Sequence, residues 1–520
     1  MGRNSVRLGI FAALLLAFYC SGLSHTPAHL HHDEAIIALQ AHSLATTGRD
    51  IEGRLLPLYF FMPQLGDRAW YQPAIIYLGA LVLQVLPASE AAFRVPTALV
   101  ATLDALLMFF VARRLFKSER WAWAAAMLLA ATPTHVLLGR VAFDFLFPLP
   151  FILGWLWALL VYLDTRQMRS LFVATSILGL GFYSYISSML MMPIYYVMTL
   201  GVLAANQLLN RRSFAVATAG LAWPLLLLVP WMFREPSFIE DVLQRYSMTG
   251  PATRFHYSAI VDRVTLYWTF LNPAFLFLFG GFTHLTASTR LFGVFLLPFI
   301  ILIPVGLVQM VTRVRTPMSA LLFTGFLLAP LAAVLTVQEP YASARQASIM
   351  VFGVLIATYG LQRIWSWRPA PAHALAMVIT ALLPLHFLFF VFHYFGAYRG
   401  YSAAQFEYNH RDALAAIAAL APRDHVPPIF LSNGRDKWMD SFWRLTLAIE
   451  GRGDLLEHTH YFDAAKLDGV SAIPPGAFVL VTTDDKALLD AVKSGTFSEV
   501  MRAIEPADEA VFYVLRRNAV

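Results

Sequence analysis

The chain has little charge and almost no cysteine for its length. Only 13% of its 520 residues are charged and 58% are apolar, whereas about 25% charge is usual for a soluble globular protein. This composition excludes an ordinary soluble enzyme. The 38 Lys and Arg exceed the 32 Asp and Glu only slightly, and no basic run is interleaved with aromatics, so nucleic-acid binding is not indicated. The single cysteine, Cys20, excludes an intramolecular disulfide and a cysteine-rich metal site.

Long apolar runs occupy most of the first 400 residues. Each is close to the ~20 residues that a helix needs to cross a bilayer. Basic Arg3 and Arg7 precede the first run, and no convincing cleavage signal follows it, which favours an anchor over a signal peptide. The predicted spans lie at about 8–23, 95–112, 121–138, 145–163, 171–186, 189–209, 214–233, 291–312, 318–337, 347–361 and 372–394.

The basic residues indicate how these eleven spans are oriented. The short apolar stretch Pro73–Pro87 is interpreted as a helix lying at the outer interface, because counting it as a span would place every later basic turn outside. The inner ends then hold only two acidic residues, Glu119 and Asp164. Their basic residues are Arg3, Arg7, Arg113, Arg114, Lys117, Arg120, Arg166, Arg169, Arg211, Arg212, Arg313, Arg315, Arg363 and Arg368.

This arrangement predicts a multi-pass plasma (inner) membrane protein with a cytoplasmic N-terminus. Residues 1–396 would form an all-α bundle of about 11 transmembrane helices, with long outer loops at 24–94 and 234–290. Charge becomes common from residue 397, where β-like runs at 429–431, 478–482 and 510–515 alternate with helical stretches such as 411–420. Residues 397–520 are therefore predicted to form a small extracytoplasmic α/β domain.

The first outer loop carries two adjacent carboxylates, Asp33 and Glu34, directly after the first span. A carboxylate beside a low-dielectric surface is a good proton acceptor because its ionised form is destabilised, which suggests that Asp33 is a general base. Asp33 also precedes a helix-like run and could simply cap it. A metal site formed by His31, His32, Asp33 and His42 is the weaker interpretation, because adjacent ligands are poor chelators.

Other ionisable residues have both structural and functional interpretations. Arg140 and Asp144 are four residues apart, so on a helix they would share a face and form a pair, or they would mark a substrate path. Arg345 either binds a phosphate or pairs with Glu339. Asp104 lies in the middle of the second span, either hydrogen-bonded in the bundle or part of an ion path. A lone loop histidine such as His284 is more often structural than catalytic.

A set of short segments resembles, in order over roughly residues 10–400, the GT-C glycosyltransferases that use a polyprenyl-phosphate sugar. The chain looks most like the bacterial relatives of protein O-mannosyltransferases and of lipid A aminoarabinose transferases. The matching segments are Asp33-Glu34-Ala35, Ser43-Leu44, Thr47-Gly48, Leu56-Pro57-Leu58, Tyr71-Gln72-Pro73, Tyr77, Phe93-Arg94-Val95-Pro96, Arg113-Arg114-Leu115-Phe116, Thr132-Pro133, Gly139-Arg140, Asp144, Leu271-Asn272-Pro273-Ala274-Phe275-Leu276-Phe277, Leu328-Ala329-Pro330, Leu335-Thr336 and Ala344-Arg345.

The resemblance implies that Asp33 deprotonates the acceptor hydroxyl, with Asp144 nearby in the catalytic site. It also implies that Arg140 and Arg345 neutralise the donor phosphate. Glu34, Tyr71, Gln72 and His284 are assigned to the substrate pocket. Some relatives have Lys where Gln72 stands and an Arg-Gly-Asp run where Phe279-Gly280-Gly281 stands, so the phosphate charge here would be met by arginines.

The sequence thus predicts a membrane glycosyltransferase that takes a sugar from a polyprenyl-phosphate donor to a lipid, protein or glycan acceptor on the extracytoplasmic face. No cofactor, metal or nucleic-acid partner is predicted. A polytopic lipid or solute transporter (a flippase) is the main alternative, and a non-catalytic scaffold with the same fold is another. The chain lacks an internal repeat, which weakens the transporter interpretation.

Overall fold

The computed structural model describes residues 3–62, 69–246, 257–281, 285–336, 340–341, 343–367, 370–434, 437–463 and 472–518. The chain divides into two compact units. The bundle unit comprises Met1–Ser21, Leu58–Ile75 and Pro96–Phe392, and the C-terminal unit comprises Gly22–Pro57, Ile76–Val95 and His393–Val520. The last stretch of the C-terminal unit begins at His393, and the unit also includes most of the predicted first outer loop. The predicted domain bounds 1–396 and 397–520 stay predictions.

Helices dominate the described residues. In chain order they are α1 Arg3–Cys20, α2 His32–Thr47, α3 Pro73–Leu83, α4 Glu90–Phe116, α5 Glu119–Ala130, α6 Pro133–Leu138, α7 Pro148–Thr165, α8 Met168–Gly181, α9 Ser188–Ala205, α10 Arg211–Leu225, α11 Leu228–Arg234, α12 Phe238–Tyr246, α13 Tyr257–Phe270, α14 Phe299–Gln309, α15 Pro317–Leu328, α16 Leu331–Thr336, α17 Ile349–Trp365, α18 Ala370–Phe395, α19 Ala397–Ser402, α20 His410–Leu420, α21 Met439–Glu450 and α22 Lys486–Lys493. The strands are β1 Phe60–Met62, β2 Ala69–Tyr71, β3 Ile429–Ser432, β4 Thr459–Phe462, β5 Phe478–Thr482, β6 Phe497–Ile504 and β7 Ala510–Arg517.

Six helical segments of the described chain are long and apolar enough to cross a membrane. They are Glu90–Phe116, Asp144–Thr165, Ser188–Ala205, Arg211–Arg234, Pro317–Thr336 and His373–Phe395. Each coincides with a predicted span, and shorter apolar helices lie at four of the other five predicted spans. One predicted span, 121–138, is broken: α5 ends at Ala130 and α6 begins at Pro133, because proline cannot donate the hydrogen bond that a continuous helix requires. The chain is a multi-pass membrane protein.

Helix α3 has 11 residues. At 1.5 Å per residue it is about half as long as a helix needs to be to cross the hydrocarbon core. This length agrees with the prediction that the stretch Pro73–Pro87 does not cross the membrane. Its place at the outer interface stays a prediction.

Three of the turns predicted to lie inside are grouped at one end of the bundle unit. Arg114 at the end of α4 donates to Asp164 at the end of α7 over 2.9 Å. Arg120 at the start of α5 lies 5.0 Å from the ring centroid of Trp365, the last residue of α17. The positive-inside pattern requires these three turns to lie at the same end of the bundle. The compartment that this end faces stays a prediction, and Arg368 lies outside the described residues.

Two glycines let α14 and α17 approach until their backbones touch. A Cβ atom added at Gly306 would lie 2.0 Å from the carbonyl oxygen of Ile356, and one added at Gly360 would lie 2.0 Å from that of Leu302. Both distances are far inside van der Waals contact. Small residues at such crossings are the usual means of close helix packing in membranes.

The change Gly360→Ala is expected to lower the free energy of unfolding by roughly 1–3 kcal/mol, because the added methyl group must push two backbones apart. Thermal unfolding of the purified protein in detergent measures the effect. The matched control is Gly201→Ala on α9, where a Cβ atom meets nothing within 4 Å. That control should be neutral or stabilising by up to about 1 kcal/mol, and equal effects of the two changes would contradict the prediction.

The C-terminal unit contains a five-stranded mixed sheet in the order β4-β3-β5-β7-β6. Strand β3 is parallel to β4 and β5, whereas β7 is antiparallel to β5 and β6. A buried cluster that includes Val479, Val481, Leu488 and Leu515 packs between strands β5 and β7 and helix α22. The strands predicted at 429–431, 478–482 and 510–515 are therefore present in a small C-terminal sheet, while the domain bounds 397–520 and the placement outside the membrane stay predictions.

Candidate functional site

The start of α2 carries the two carboxylates of the predicted first outer loop, and they have different surroundings. The helix is capped by His31, whose side chain accepts a hydrogen bond from the Asp33 amide. In return, the Glu34 carboxylate accepts from the His31 amide over 3.0 Å. His31 and Glu34 thus form the capping pair. The alternative that Asp33 is the N-cap is wrong, because α2 begins at His32 and Asp33 lies in its first turn.

Asp33 lies between two histidines with its carboxylate partly exposed. One carboxylate oxygen is 3.7 Å from His31 Nδ1 and the other is 3.8 Å from His32 Nε2. The side chain is 30% exposed. Burial lowers the pKa of His31, and neighbouring His32 lowers it further, although the nearby carboxylates act in the opposite direction. A carboxylate at a partly exposed helix start is accessible to a substrate hydroxyl.

His32 is held by two residues from the region after α19. Its amide donates to Glu407 Oε2 over 2.6 Å, and its Nδ1 contacts Glu407 Oε1. Its ring stacks on Trp438, with centroids 4.3 Å apart and planes within 4° of each other. The start of α2, which carries Asp33, is therefore held within the C-terminal unit by contacts with Glu407, 375 residues away in sequence, and with Trp438.

Glu34 forms a fully buried ion pair with Arg94, near the start of α4. Nε and Nη2 of Arg94 each donate to one Glu34 oxygen over 2.9 Å. The same guanidinium donates to the carbonyls of Leu23, Pro27 and His29 over 2.5–3.1 Å. These bonds fix the segment that leads to Asp33. Contact of Glu34 with the substrate stays a prediction. The bonds that Glu34 makes to Arg94 and to the His31 amide fit a positioning role.

The guanidinium of Arg140 is buried against the end of α1. It donates to the carbonyls of Phe18, Tyr19 and Ser21 over 2.6–3.1 Å. Such bonds satisfy carbonyl groups that have no partner within the helix, and the positive charge opposes the negative end of the helix dipole. The described bonds of Arg140 fit a positioning role, and phosphate binding by Arg140 stays a prediction.

Asp144 and Arg345 lie on two short 3-10 turns that pack against each other in the bundle unit. The turns are Asp144–Leu146 and Ser343–Gln346. Arg345 Nη1 donates to Thr336 Oγ1 over 3.2 Å, and Glu339, its predicted alternative partner, lies outside the described residues. The idea that Arg140 and Asp144 share a helical face is wrong, because α6 ends at Leu138. An acid and a cation predicted for one site are therefore brought into the same region.

Tyr71 is the last residue of β2 and pairs with Phe60 of β1, and Gln72 follows directly. Both side chains are buried. The amide nitrogen and oxygen of Gln72 have no hydrogen-bond partner among the described residues, and the same holds for Gln346, next to Arg345. Buried amides normally have partners, so each of these positions calls for a polar group or water.

Two of the residues singled out from the sequence remain, His284 and Asp104. His284 lies outside the described residues. Asp104 has a partner within the bundle: its carboxylate lies 3.5 Å from His135 Nε2, and His135 Nδ1 is 2.8 Å from the Tyr19 hydroxyl. All three side chains are fully buried. Neither carboxylate oxygen of Asp104 has a hydrogen-bond partner among the described residues, so the structure does not decide between a hydrogen-bonded group and part of an ion path.

Sequence reasoning missed the roles of three residues in these two regions. Arg94 belongs to the matching segment 93–96, which signalled its importance without indicating its partner. Glu407 and Gln346 gave no signal, because their significance depends on contacts that a single sequence does not show. Within the described chain, then, Asp33 lies with His31, His32 and Glu407 in the C-terminal unit, whereas Asp144, Arg345, Gln346, Tyr71 and Gln72 belong to the bundle unit.

Residues 67–233 of the chain match the family model described as dolichyl-phosphate-mannose-protein mannosyltransferase. A comparison with the curated proteins finds none that matches. The fold is similar to that of ArnT from Cupriavidus metallidurans bound to undecaprenyl phosphate, at 13% identity, with a TM-score of 0.57 and 98% of each chain covered. The apo state of the same protein gives 13% identity and a TM-score of 0.56, with 99% of this chain and 98% of that chain covered.

The fold is also similar to that of the archaeal oligosaccharyltransferase AglB from Archaeoglobus fulgidus, in complex with an inhibitory peptide and a dolichol-phosphate. That match has 14% identity and a TM-score of 0.51, and covers 85% of this chain and 64% of AglB. The chain thus spans somewhat less than two thirds of AglB and nearly all of ArnT. The predicted resemblance to GT-C glycosyltransferases is confirmed, and the chain has the fold of that class.

Proposed function

We propose that this protein is an integral-membrane glycosyltransferase that moves a sugar from a polyprenyl-phosphate donor to an acceptor on the extracytoplasmic face. The observation that carries the proposal is the fold match along 98% of the chain to a protein solved with bound undecaprenyl phosphate. The family-model match over residues 67–233 supports a lipid-phosphate sugar as the donor.

The proposed reaction is a single displacement at the anomeric carbon of the sugar. The acceptor oxygen forms the new glycosidic bond, while the bond from the anomeric carbon to the phosphate oxygen breaks and its electron pair leaves with the polyprenyl phosphate. Asp33 accepts the proton of the acceptor hydroxyl as the bond forms. Its partly exposed carboxylate supports this role, because it is accessible to an acceptor arriving from water.

Arg345 and Asp144 are proposed to act on the donor side, with Tyr71 and Gln72 lining the pocket. A guanidinium neutralises the negative charge that grows on the leaving phosphate. Support comes from the packing of the two turns that carry Arg345 and Asp144. The unpaired amides of Gln72 and Gln346 are suited to sugar hydroxyls, which donate and accept hydrogen bonds.

The direct test is transfer of radiolabelled sugar from a panel of polyprenyl-phosphate sugars by membranes containing the protein. Label is expected to leave one class of donor and appear in an acceptor fraction. Membranes that lack the protein are the control. Binding of polyprenyl phosphate without transfer from any donor would contradict the proposal and favour a lipid transporter.

The change Arg345→Ala is expected to raise the KM for the lipid donor about 10- to 100-fold, because a charge-assisted hydrogen bond to phosphate is worth roughly 1.5–3 kcal/mol. Initial transfer rates across a range of donor concentrations measure it. Arg345→Lys should recover part of the affinity, since it keeps the charge and loses the planar fork. The control is Arg169→Ala at an exposed position on α8. An unchanged KM in Arg345→Ala would remove this arginine from the phosphate site.

A further inference from the structure

Three side chains of types that bind metals converge beside Asp33. His31, His32 and Glu407 each offer one ligand atom, and the three atoms lie within 4.8 Å of one another. Two of the residues precede or begin α2, and the third follows the 3-10 turn Ala403–Phe406. A pair of adjacent histidines is a poor chelator, and a carboxylate from a distant segment supplies the third ligand that such a pair lacks.

The ligand groups are held in fixed orientations. Glu407 Oε2 accepts from the His32 amide over 2.6 Å, which leaves Oε1 directed at the His32 ring. The His32 ring lies close to two others: its centroid is 4.3 Å from that of Trp438 and 4.0 Å from that of His31. Surrounding groups that orient ligands in this way raise metal affinity.

The backbone at Glu407 is also unusual. Glu407 and Tyr408 have φ angles of 58° and 64°, so two consecutive residues other than glycine adopt the left-handed conformation. Such positions are uncommon and occur preferentially where a ligand or a catalytic group must be placed. Here the conformation accompanies the contact of Glu407 with His32.

The cluster is partly shielded, and an ion from solution can reach it. The side chains of His31, His32 and Glu407 are 15%, 20% and 21% exposed.

We propose that His31, His32 and Glu407 bind a divalent transition-metal ion of the zinc type, with water completing its coordination. Two imidazoles and one carboxylate are an ordinary set of protein ligands for Zn²⁺ in sites that keep an open position. The hydrogen bond between His32 and Glu407 gives way to two bonds to the ion. The ion joins the start of α2 to the segment that follows α19.

The site does not depend on the proposed transfer reaction, because its test measures metal binding alone. The full chain is purified without a polyhistidine tag, stripped with a chelator and titrated with Zn²⁺ in competition with a chelating dye. One equivalent per chain is expected to bind. His32→Asn and Glu407→Gln keep side-chain size and hydrogen bonding, and each should weaken this binding about 100-fold or more.

The matched control is His42→Asn, a partly buried histidine on the same helix and outside the cluster. It should bind Zn²⁺ as the wild type does. Saturating Zn²⁺ should raise the unfolding temperature of the wild type and of His42→Asn, but not that of the two site variants. The proposal is overturned by a wild-type chain that binds no Zn²⁺, by site variants that bind it equally well, or by an equal loss in the control.

Discussion

The change Asp33→Asn is expected to lower the rate of sugar transfer by roughly 10²- to 10⁴-fold, the usual contribution of a general base. Asparagine has nearly the same shape as aspartate and cannot accept the proton of the acceptor hydroxyl. The His31 side chain accepts its hydrogen bond from the backbone amide of residue 33, so the helix cap survives the change. The measurement is the transfer rate at saturating donor, with binding of polyprenyl phosphate assayed separately.

Glu52→Gln is the matched control, since Glu52 is an exposed acid in the same predicted outer loop. It should transfer at the wild-type rate. Donor binding should be retained in Asp33→Asn, because Asp33 is proposed to act on the acceptor. A fully active Asp33→Asn variant would exclude Asp33 as the base. A variant that had also lost donor binding would show that Asp33 supports the structure.

The transmembrane helices could be predicted because apolar length is a strong signal in a chain this poor in charge. The distribution of arginines around the turns was equally informative, since Arg114 and Arg120 indeed lie with partners at one end of the bundle. The break between α5 and α6 was missed. Thr132-Pro133 was visible in the sequence, but proline within a membrane helix often produces only a kink, so its effect there depends on the surrounding helices.

In the C-terminal unit, the sequence predicted the inner strands and missed the outer ones. Strands β3, β5 and β7 occupy the middle of the sheet and appear as short apolar runs. Strands β4 and β6 form its edges, and they expose much of their length. Edge strands carry polar residues that oppose further pairing, so they lack the apolar pattern by which a strand is recognised.

Candidate site residues could be named from the sequence, but their contacts could not be predicted. Asp33 became a candidate because a carboxylate directly after a predicted membrane span is unusual and because of the family resemblance, and its catalytic role stays a prediction. The pairing of Glu34 with Arg94 joins residues 60 positions apart, and that of His32 with Glu407 joins residues 375 apart. Such pairings depend on how the chain folds back on itself, and no spacing rule for helices or strands reaches that far.

The change Arg94→Met is expected to lower the free energy of unfolding by about 3–5 kcal/mol, the range for breaking a buried ion pair. Methionine fills similar space and leaves the Glu34 carboxylate buried without its cation. It also removes the donors to the carbonyls of Leu23, Pro27 and His29. Denaturant titration of the purified protein in detergent measures the loss.

The two partners should contribute unequally. Glu34→Gln leaves Arg94 bonded to its three carbonyls, so its cost should be smaller, roughly 1–3 kcal/mol. The control is Arg444→Met in the more exposed pair with Asp440, where about 1 kcal/mol or less is expected. An equal loss of free energy of unfolding in Arg94→Met and Arg444→Met would contradict the prediction. The buried pair would then not stabilise the segment before Asp33. If the expected order is found, Glu34→Gln should also slow transfer, because the helix start that carries Asp33 depends on the same ion pair.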